Sequence, residues 1–310
     1  MKTKLFIVTY DAKDHLNYNL ETFFNSDFFK NDQTIKRDTI TSRGIIKPSV
    51  EVTIINNHST FYLDQKFHDK VKVIHNSLRP DFSTGHLARN WNQAIINGFK
   101  DLKNPDCDWL IHCQDDTEWK ANWFEILKKA MDKYTFYTSG NGDNLCCYTV
   151  EGVRNIGLWD ERFCNIGFHE YDYFTRACIY NPDQSSINDL GDYPGNRQWN
   201  PEEPCTNYIA RDKNRNSHHT RSQEYHSLSA MVYQHKWGIP PEPRNFVKIN
   251  KELKCTQNAN FMFYPYFEKD VYSLNMKKYI TADSDYRSTL PTPRNFAEMN
   301  QEVNFRIECN

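Results

Sequence analysis

The stretch WLIHCQDD, residues 109–116, carries the clearest fold signal in this sequence. Its first five residues form an apolar run of strand length, and this run leads directly to Gln114, Asp115 and Asp116. In open α/β sheets ligands bind beyond the carboxyl ends of the strands, so polar residues that follow such a run are candidates for a binding site. The two aspartates are therefore the first candidate site residues.

Further strand-length runs lie upstream of this stretch and alternate with helical spacing. We predict strands at residues 4–9, 52–55, 71–74 and 109–113, and a helix at residues 87–99. Such alternation predicts an α/β fold with a mixed, mainly parallel sheet flanked by helices. The residues that follow the first two strands join the aspartates as candidates at the carboxyl edge of this sheet: Thr9, Tyr10, Asn56 and Asn57.

The second half of the chain has a less regular pattern. Residues 119–133 have the spacing of an amphipathic helix, and residues 145–150 that of a strand. Residues 181–216 are rich in Asn, Asp, Gly and Pro, which predicts a long surface excursion that can act as a lid. A helical stretch follows at 224–236, and we interpret residues 241–310 as a C-terminal extension.

The charge balance and the cysteines narrow the classes of function. The 38 basic and 40 acidic side chains leave a net charge of -2. A dedicated duplex-binding protein shows a basic excess instead, so no nucleic acid is expected as a partner. No run approaches the roughly 20 apolar residues of a membrane span. The nine cysteines, an odd number without a CxxC pair, indicate neither a disulfide scaffold nor a zinc knuckle, and we expect a soluble, cytoplasmic protein.

The aspartate pair at the end of the 109–113 strand has a chemical and a structural interpretation. Two adjacent carboxylates offer the hard oxygen ligands that Mg²⁺ and Mn²⁺ prefer, and a cation held there would stabilise a departing diphosphate. Alternatively, Asp115 or Asp116 caps the helix that is predicted to begin near Trp119. The pair alone does not decide between these interpretations.

Two later motifs carry a resemblance to a known family. The motifs are NIGLWDERF at 155–163 and GFHEYDYFTR at 167–176. They resemble the glycosyltransferase family 2 pattern, in which a Gly-aromatic-Asp-Glu-x-Phe element and a short loop precede an acidic site that opens an Arg-bearing helix. Upstream, NNHS at 56–59 and GHLARNWN at 85–92 are similar to the nucleoside turn and the Gly-x-x-x-Ala-Arg-Asn helix start of that family. The resemblance spans roughly residues 4–240.

This resemblance implies a GT-A fold, which is Rossmann-like, over residues 1–240. The donor half would cover about 1–118 and the acceptor half about 119–240. The implied activity is inverting transfer of a sugar from a nucleotide-sugar donor to a hydroxyl of a carbohydrate or glycoconjugate acceptor, with Mn²⁺ or Mg²⁺ as cofactor. Gln114 stands where the family usually has the first Asp of its metal motif, and Glu170 stands at its catalytic Asp.

The resemblance also implies roles for individual residues. Glu170 would be the catalytic base, with Asp172 as the second candidate, although an acid in the first turn of a helix can simply favour the helix dipole. The implied donor-binding residues are Thr9, Tyr10, Asn56, Asn57, Arg89, Asn90 and Asp115. The implied metal ligands are Asp116, Asp115, His219 and His218, while a structural role stays open for each histidine.

Two other functions are compatible with the same fold. A sugar nucleotidyltransferase also places a metal-binding acid in a nucleotide-binding sheet, but it would carry a Gly-rich basic loop after the first strand, and residues 9–13 are not such a loop. A carbohydrate-binding protein that lost catalysis is the second alternative. The presence of Asp115, Asp116 and Glu170 argues against it.

Overall fold

A computed structural model of the chain describes residues 1–30, 49–76, 87–140, 142–161, 163, 168–187 and 202–208. The strands are β1 (Lys2–Thr9), β2 (Ser49–Asn56), β3 (Val71–His75), β4 (Trp109–Gln114), β5 (Thr117–Trp119), β6 (Phe136–Ser139), β7 (Leu145–Tyr148), β8 (Ser185–Ser186) and β9 (Cys205–Asn207). The helices are α1 (Lys13–Phe24), α2 (Leu87–Phe99), α3 (Trp123–Met131), α4 (Val150–Ile156) and α5 (Phe168–Tyr180), and short 3-10 turns occupy Gln65–Phe67 and Pro182–Gln184.

Seven of these strands form one sheet in the order β3-β2-β1-β4-β7-β6-β8. The neighbours among β1, β2, β3 and β4 are parallel, whereas β7 runs antiparallel to both β4 and β6. Strands β6 and β8 are again parallel. The predicted α/β fold, a mixed and mainly parallel sheet flanked by helices, is therefore confirmed, as are the four predicted strands and the helix at 87–99.

The register of the sheet brings the predicted site residues to one edge. Thr9 at the end of β1 pairs with Asn56 at the end of β2, and Val8 pairs with Gln114 at the end of β4. Because the strands are parallel, the residues that follow them lie side by side. Strand β7 is antiparallel to β4, so the residues that precede β7 lie at this same edge.

The sheet separates two apolar clusters, as alternation along its central strand requires. On β4, Leu110 faces the cluster that contains Trp91 of α2, while Ile111 faces the cluster that contains Trp123 of α3. Residues 109–113 are all buried, which is the continuous apolar pattern expected of a strand covered by helices on both faces. This burial fixes the position of the aspartates that follow.

Two predicted elements have different boundaries in the structure. Helix α3 begins at Trp123 with Asn122 as its N-cap, because residues 117–119 pair with Cys205–Asn207 in a separate two-stranded sheet. The capping interpretation for Asp115 and Asp116 is therefore wrong. Strand β7 ends at Tyr148, where the Thr149 hydroxyl accepts the Gly152 N–H at 3.2 Å and opens α4.

Several predicted segments lie partly or wholly outside the described residues. These are the helix at 224–236, the extension at 241–310, and residues 188–201 and 209–216 of the proposed lid. The described parts of the lid segment join the sheets, since Ser185–Ser186 pairs with β6 and Cys205–Asn207 with β5. Among the described residues, no helix combines the length and apolarity required to cross a membrane.

The close packing of α4 gives a stability prediction. A Cβ added at Gly152 would lie 2.3 Å from the Thr135 carbonyl oxygen, which belongs to the backbone and cannot rotate away. We expect Gly152→Ala to lower the free energy of unfolding by about 1–3 kcal/mol in urea denaturation, despite the better helix propensity of Ala. Glu151→Ala, at an exposed position of the same helix, is the control and should change it by less than about 0.5 kcal/mol. Equal effects of the two substitutions would contradict the packing argument.

Candidate active site

Asp115 and Asp116 lie where β4 ends, and both carboxylates are buried, with 8% and 2% of their residue surface exposed. Asp115 Oδ2 accepts the Tyr10 backbone N–H at 3.4 Å, which links the end of β4 to the end of β1. Asp116 Oδ1 accepts the side-chain amide of Asn144 at 3.0 Å, and its backbone oxygen accepts the Tyr208 N–H at 2.7 Å. The pair therefore connects the end of β4 to the end of β1, to the loop before β7 and to the residue that follows β9.

The chemistry of this pair fits a divalent cation. The hydrogen bonds from Tyr10 and Asn144 come from neutral donors, which orient a carboxylate without cancelling its charge. Adjacent carboxylate oxygens are hard ligands of the type that Mn²⁺ and Mg²⁺ take. Asp115 and Asp116 are thus the residues of this edge that would hold such an ion.

The loop between β6 and β7 lies against the first turn of α5. Gly140 and Gly142 have φ values of 77° and 62°, in the left-handed region that favours glycine. A Cβ at Gly142 would come within 2.4 Å of Glu170 Oε2, so the glycine backbone packs directly on this carboxyl group. The loop can approach Glu170 this closely only because no side chain stands between them.

Asp143 is the centre of this loop, and sequence reasoning missed it. Its carboxylate accepts the Trp91 indole N–H at 2.6 Å and the Gln114 side-chain amide at 2.7 Å, and His169 Nε2 lies 2.7 Å away. Its backbone N–H donates to Glu170 Oε2 at 3.3 Å. The glycines before Asp143 indicate a tight loop ahead of a buried strand, but the antiparallel direction of that strand, which brings the loop to this edge, has no signal in the local sequence.

The carboxyl groups of Asp143 and Glu170, which meet at this loop, have pKa values shifted in opposite directions. Burial alone would raise the pKa of Asp143, but His169 and the hydrogen bonds to the carboxylate hold it at about 2. Burial, together with the negative charge of Asp143, raises the pKa of Glu170 well above its ordinary value. Asp143 is therefore the ionised member of the pair, and Glu170 is the member that binds and releases a proton in a higher pH range.

Asp143, His169 and Glu170 are also close enough to be considered as a metal site, because one potential ligand atom from each lies within 4.8 Å of the others. However, the Asp143 oxygens already accept hydrogen bonds from Trp91 and Gln114, and an ionised carboxylate only accepts, so His169 Nε2 carries a hydrogen toward it. A cation would have to displace these donors. The geometry is that of a hydrogen-bonded network around two buried carboxyl groups.

The predicted donor-binding amides form a connected group at the ends of β2 and β3. The Asn57 N–H donates to the Thr9 carbonyl oxygen at 3.1 Å. The Asn76 side-chain amide donates to Asn57 Oδ1 at 2.9 Å and to Asn90 Oδ1 at 3.5 Å. Asn56 donates to the His58 carbonyl oxygen at 2.7 Å. The structure brings these residues together at the same edge of the sheet as the aspartates, as the sequence predicted. Asn76 joins this group and was not among the predicted residues.

Other predicted site residues have distinct surroundings. Arg89 forms a 3.3 Å ion pair with Glu161, and both side chains are partly exposed. The Tyr10 ring packs edge-on against His58 with centroids 5.0 Å apart. His218 and His219, the predicted late metal ligands, lie outside the described residues.

Asp172, the second candidate for the base, is held in a different way from Glu170. Its Oδ2 lies 3.0 Å from Arg176 Nε, and both side chains are fully buried. The Arg176 guanidinium also donates to the Ile156 carbonyl oxygen at 2.9 Å, which ties α5 to the end of α4. The contacts of Asp172 are thus those of a residue that braces the helix.

No protein-family model matches this sequence, and no curated protein matches it either. Solved structures to which this chain is similar include a mannosyltransferase from Pyrobaculum calidifontis in complex with GDP-Man and Mn²⁺, S. aureus TarS 1–349 in complex with UDP-GlcNAc, and a Drosophila β1,4-galactosyltransferase 7 variant in complex with manganese, UDP-Gal and xylobiose.

These similarities have low sequence identity. The mannosyltransferase is 10% identical with a TM-score of 0.45, over 99% of this chain and 87% of that protein. TarS is 13% identical with a TM-score of 0.42, over 94% and 82% of the two chains. The galactosyltransferase is 11% identical with a TM-score of 0.38, over 70% and 74%.

The buried ion pair of α5 gives a prediction that separates bracing from catalysis. Asp172→Asn leaves the Arg176 charge buried without its partner, so we expect the free energy of unfolding to fall by about 3–5 kcal/mol in denaturant titration. The control is Asp132→Asn, which removes an i,i+4 ion pair with Lys128 at an exposed position and should cost about 0.5 kcal/mol or less. An Asp172→Asn protein of unchanged stability would contradict the bracing role.

Proposed function

We propose that this chain is an inverting glycosyltransferase that moves a sugar from a nucleotide-sugar donor to a hydroxyl group of a carbohydrate or glycoconjugate. The observation that carries the proposal is that two consecutive residues of the loop before β7 connect the carboxylate of Asp116 to the carboxyl group of Glu170. Asn144 donates to Asp116, and Asp143 donates to Glu170. A displacement reaction needs one group at the leaving diphosphate and another at the attacking hydroxyl, and this edge offers both.

In this proposal Asp116 is the chief protein ligand of Mn²⁺ or Mg²⁺, and Asp115 contributes toward the donor ribose or the ion. Bound there, the cation neutralises the diphosphate and stabilises it as a leaving group. Asn144 and the Tyr10 backbone orient the two carboxylates before the donor arrives. The pre-oriented oxygens lower the entropic cost of assembling the site.

The donor nucleoside would lie along the ends of β1 and β2, next to Asp115. This placement is supported by the buried carboxamides of Asn56, Asn57 and Asn90, which offer both donors and acceptors to a ribose or a base. Tyr10 and Thr9 line the same edge, and we include Arg89, whose partly exposed side chain pairs with Glu161, among the proposed donor-binding residues. Residues 1–118 would then form the donor half, and 119–240 the acceptor half with His218 and His219 near the ion.

Glu170 is the proposed catalytic base, since it must accept the proton of the acceptor hydroxyl during a single displacement. Burial and Asp143 raise the pKa of its carboxyl group, which makes the carboxylate a stronger base than an exposed glutamate. Single displacement by that hydroxyl inverts the anomeric centre. We further propose that the protein acts in the cytoplasm, in keeping with its odd number of cysteines.

The metal role of the aspartate pair predicts a loss of both activity and metal-dependent binding. Asp116→Ala should abolish nucleotide-sugar turnover and weaken binding of a nucleoside diphosphate with Mn²⁺, measured by calorimetry. The control is Asp108→Ala, because Asp108 precedes the same strand at its opposite end and should leave both properties unchanged. Full activity of the parent protein in excess chelator would contradict the metal requirement.

The role of Glu170 predicts a selective loss of transfer. Glu170→Gln should lower kcat by roughly 10²–10⁴-fold and leave nucleoside diphosphate binding nearly unchanged. Glu151→Gln is the matched control, because Glu151 is likewise an acid in the first turn of a helix but is exposed. Equal and small effects of both substitutions would reduce Glu170 to a helix-dipole role, and a product with retained anomeric configuration would exclude single displacement.

A further inference from the structure

Three separate elements converge on the Asp143 carboxylate, and the proposed base lies against its backbone. Trp91 comes from α2, Gln114 from the end of β4, and His169 from the first turn of α5. Both Asp143 and His169 have only 1% of their side-chain surface exposed. Such a set of short hydrogen bonds at a buried charge holds one conformation, because any other arrangement leaves a charge or a donor unsatisfied.

We propose that Asp143 is the positioning residue for Glu170: it fixes the orientation of the Glu170 carboxyl group through its backbone N–H, and it acts on the ionisation of that group through its own buried charge. This inference rests on the proposed function for its catalytic meaning. The coupling between the carboxyl groups of Asp143 and Glu170 does not depend on any activity of the protein.

The positioning follows from how the loop is built. The side chain of Asp143 is anchored on the three donors, so its N–H is held at a defined place, 3.3 Å from Glu170 Oε2. Gly142, the preceding residue, packs its backbone against the same carboxyl group. Glu170 is therefore confined by two consecutive residues of a loop whose own position depends on the Asp143 carboxylate.

The effect of Asp143 on the ionisation of Glu170 follows from the titratable groups that face Glu170. These are Asp143 from the loop, His169 on α5 itself, Cys146 on β7 and, behind them, His112 on β4. Burial raises the pKa of Cys146 well above its ordinary value and lowers that of His112 to about 3, so both are neutral near pH 7. The negative charge nearest to Glu170 is then that of Asp143.

The sign of the pH effect can be stated directly. A base works in its deprotonated form, so transfer should rise with pH as Glu170 loses its proton, and a raised pKa places this rise at higher pH. Removal of the Asp143 charge should move the rise toward lower pH. A residue with a purely structural role would change the height of the profile and not its position.

The test is Asp143→Asn, which keeps the backbone N–H and nearly the same shape but removes the charge. The pH profile of kcat/KM for transfer should move to lower pH. The titration of the Glu170 carboxyl carbon, followed by NMR in protein with labelled glutamate and assigned with Glu170→Gln, should move the same way. An unchanged Glu170 titration in Asp143→Asn would overturn the proposal. The control is Asp108→Asn, which removes an exposed carboxylate at the opposite end of β4 and should leave the titration of Glu170 in place.

Two further measurements keep the proposal testable if Asp143→Asn fails to fold. In the parent protein, Glu170 must titrate above the range of an ordinary glutamate, and a titration within that range would refute the coupling. In addition, a raised pKa in the folded state adds stability that is complete below the ordinary pKa of Glu and is lost as the pH rises through the folded-state pKa. Thermal unfolding of the parent should show this loss, Glu170→Gln should not, and identical profiles would count against the proposal.

These measurements also separate this inference from the proposed function. A protein without transferase activity in which Glu170 still titrates at high pH, and at lower pH in Asp143→Asn, would refute glycosyl transfer and retain the coupling. An active transferase in which Asp143→Asn leaves the titration unchanged would retain the function and refute the coupling.

Discussion

The buried charge of Asp143 is the constraint on which the arrangement of this protein depends. A carboxylate that is withdrawn from water is tolerated only if donors surround it, and here the donors come from α2, β4 and α5. One of these elements is a central strand of the sheet, and the other two are helices that contribute to the same apolar cluster. Packing of apolar side chains can often settle in several nearly equivalent ways, but a buried carboxylate with three directional donors specifies one. The apolar clusters supply stability, and the Asp143 contacts supply the relative placement of the site elements.

The antiparallel direction of β7 makes this arrangement possible. A sheet of parallel strands alone would bring only the residues after each strand to the ligand edge. By reversing one strand between β4 and β6, the chain also brings the residues before that strand to the edge, and these include Asp143 and Asn144. One carries the contact to Glu170 and the other the contact to Asp116. Two acidic groups from distant parts of the sequence are thereby connected through two consecutive loop residues.

The local patterns in the sequence predicted the first half of the fold well. The continuous apolar run at 109–113 and the helical spacing at 87–99 are unambiguous. The rule that parallel strands present their carboxyl ends to ligands placed Asp115 and Asn57 correctly at one edge. Non-local pairing could not be predicted in this way. The segment 117–119 looks like the start of a helix until its partner at 205–207 is known. Helix α1 was missed because it buries Asn17 and Asn19, polar residues that weaken an amphipathic pattern; Asn19 contacts Gln114 and Trp119 instead. The direction of β7, and with it the role of Asp143, has no local signal.

Asp116 makes hydrogen bonds both to the loop before β7 and to the residue after β9, and this has a thermodynamic consequence. Its side chain faces the amide of Asn144, while its carbonyl oxygen accepts the N–H of Tyr208 at the end of the small β5–β9 sheet. Anything that binds the carboxylate more tightly when β9 is docked must, by reciprocity, hold β9 in its docked position by the same factor. For a ligand with this preference, an antibody or peptide that competes for the edge of β5 would weaken binding at Asp116 without touching it. The pairing of β5 with β9 near residue 206 would then be coupled to ligand binding at residue 116.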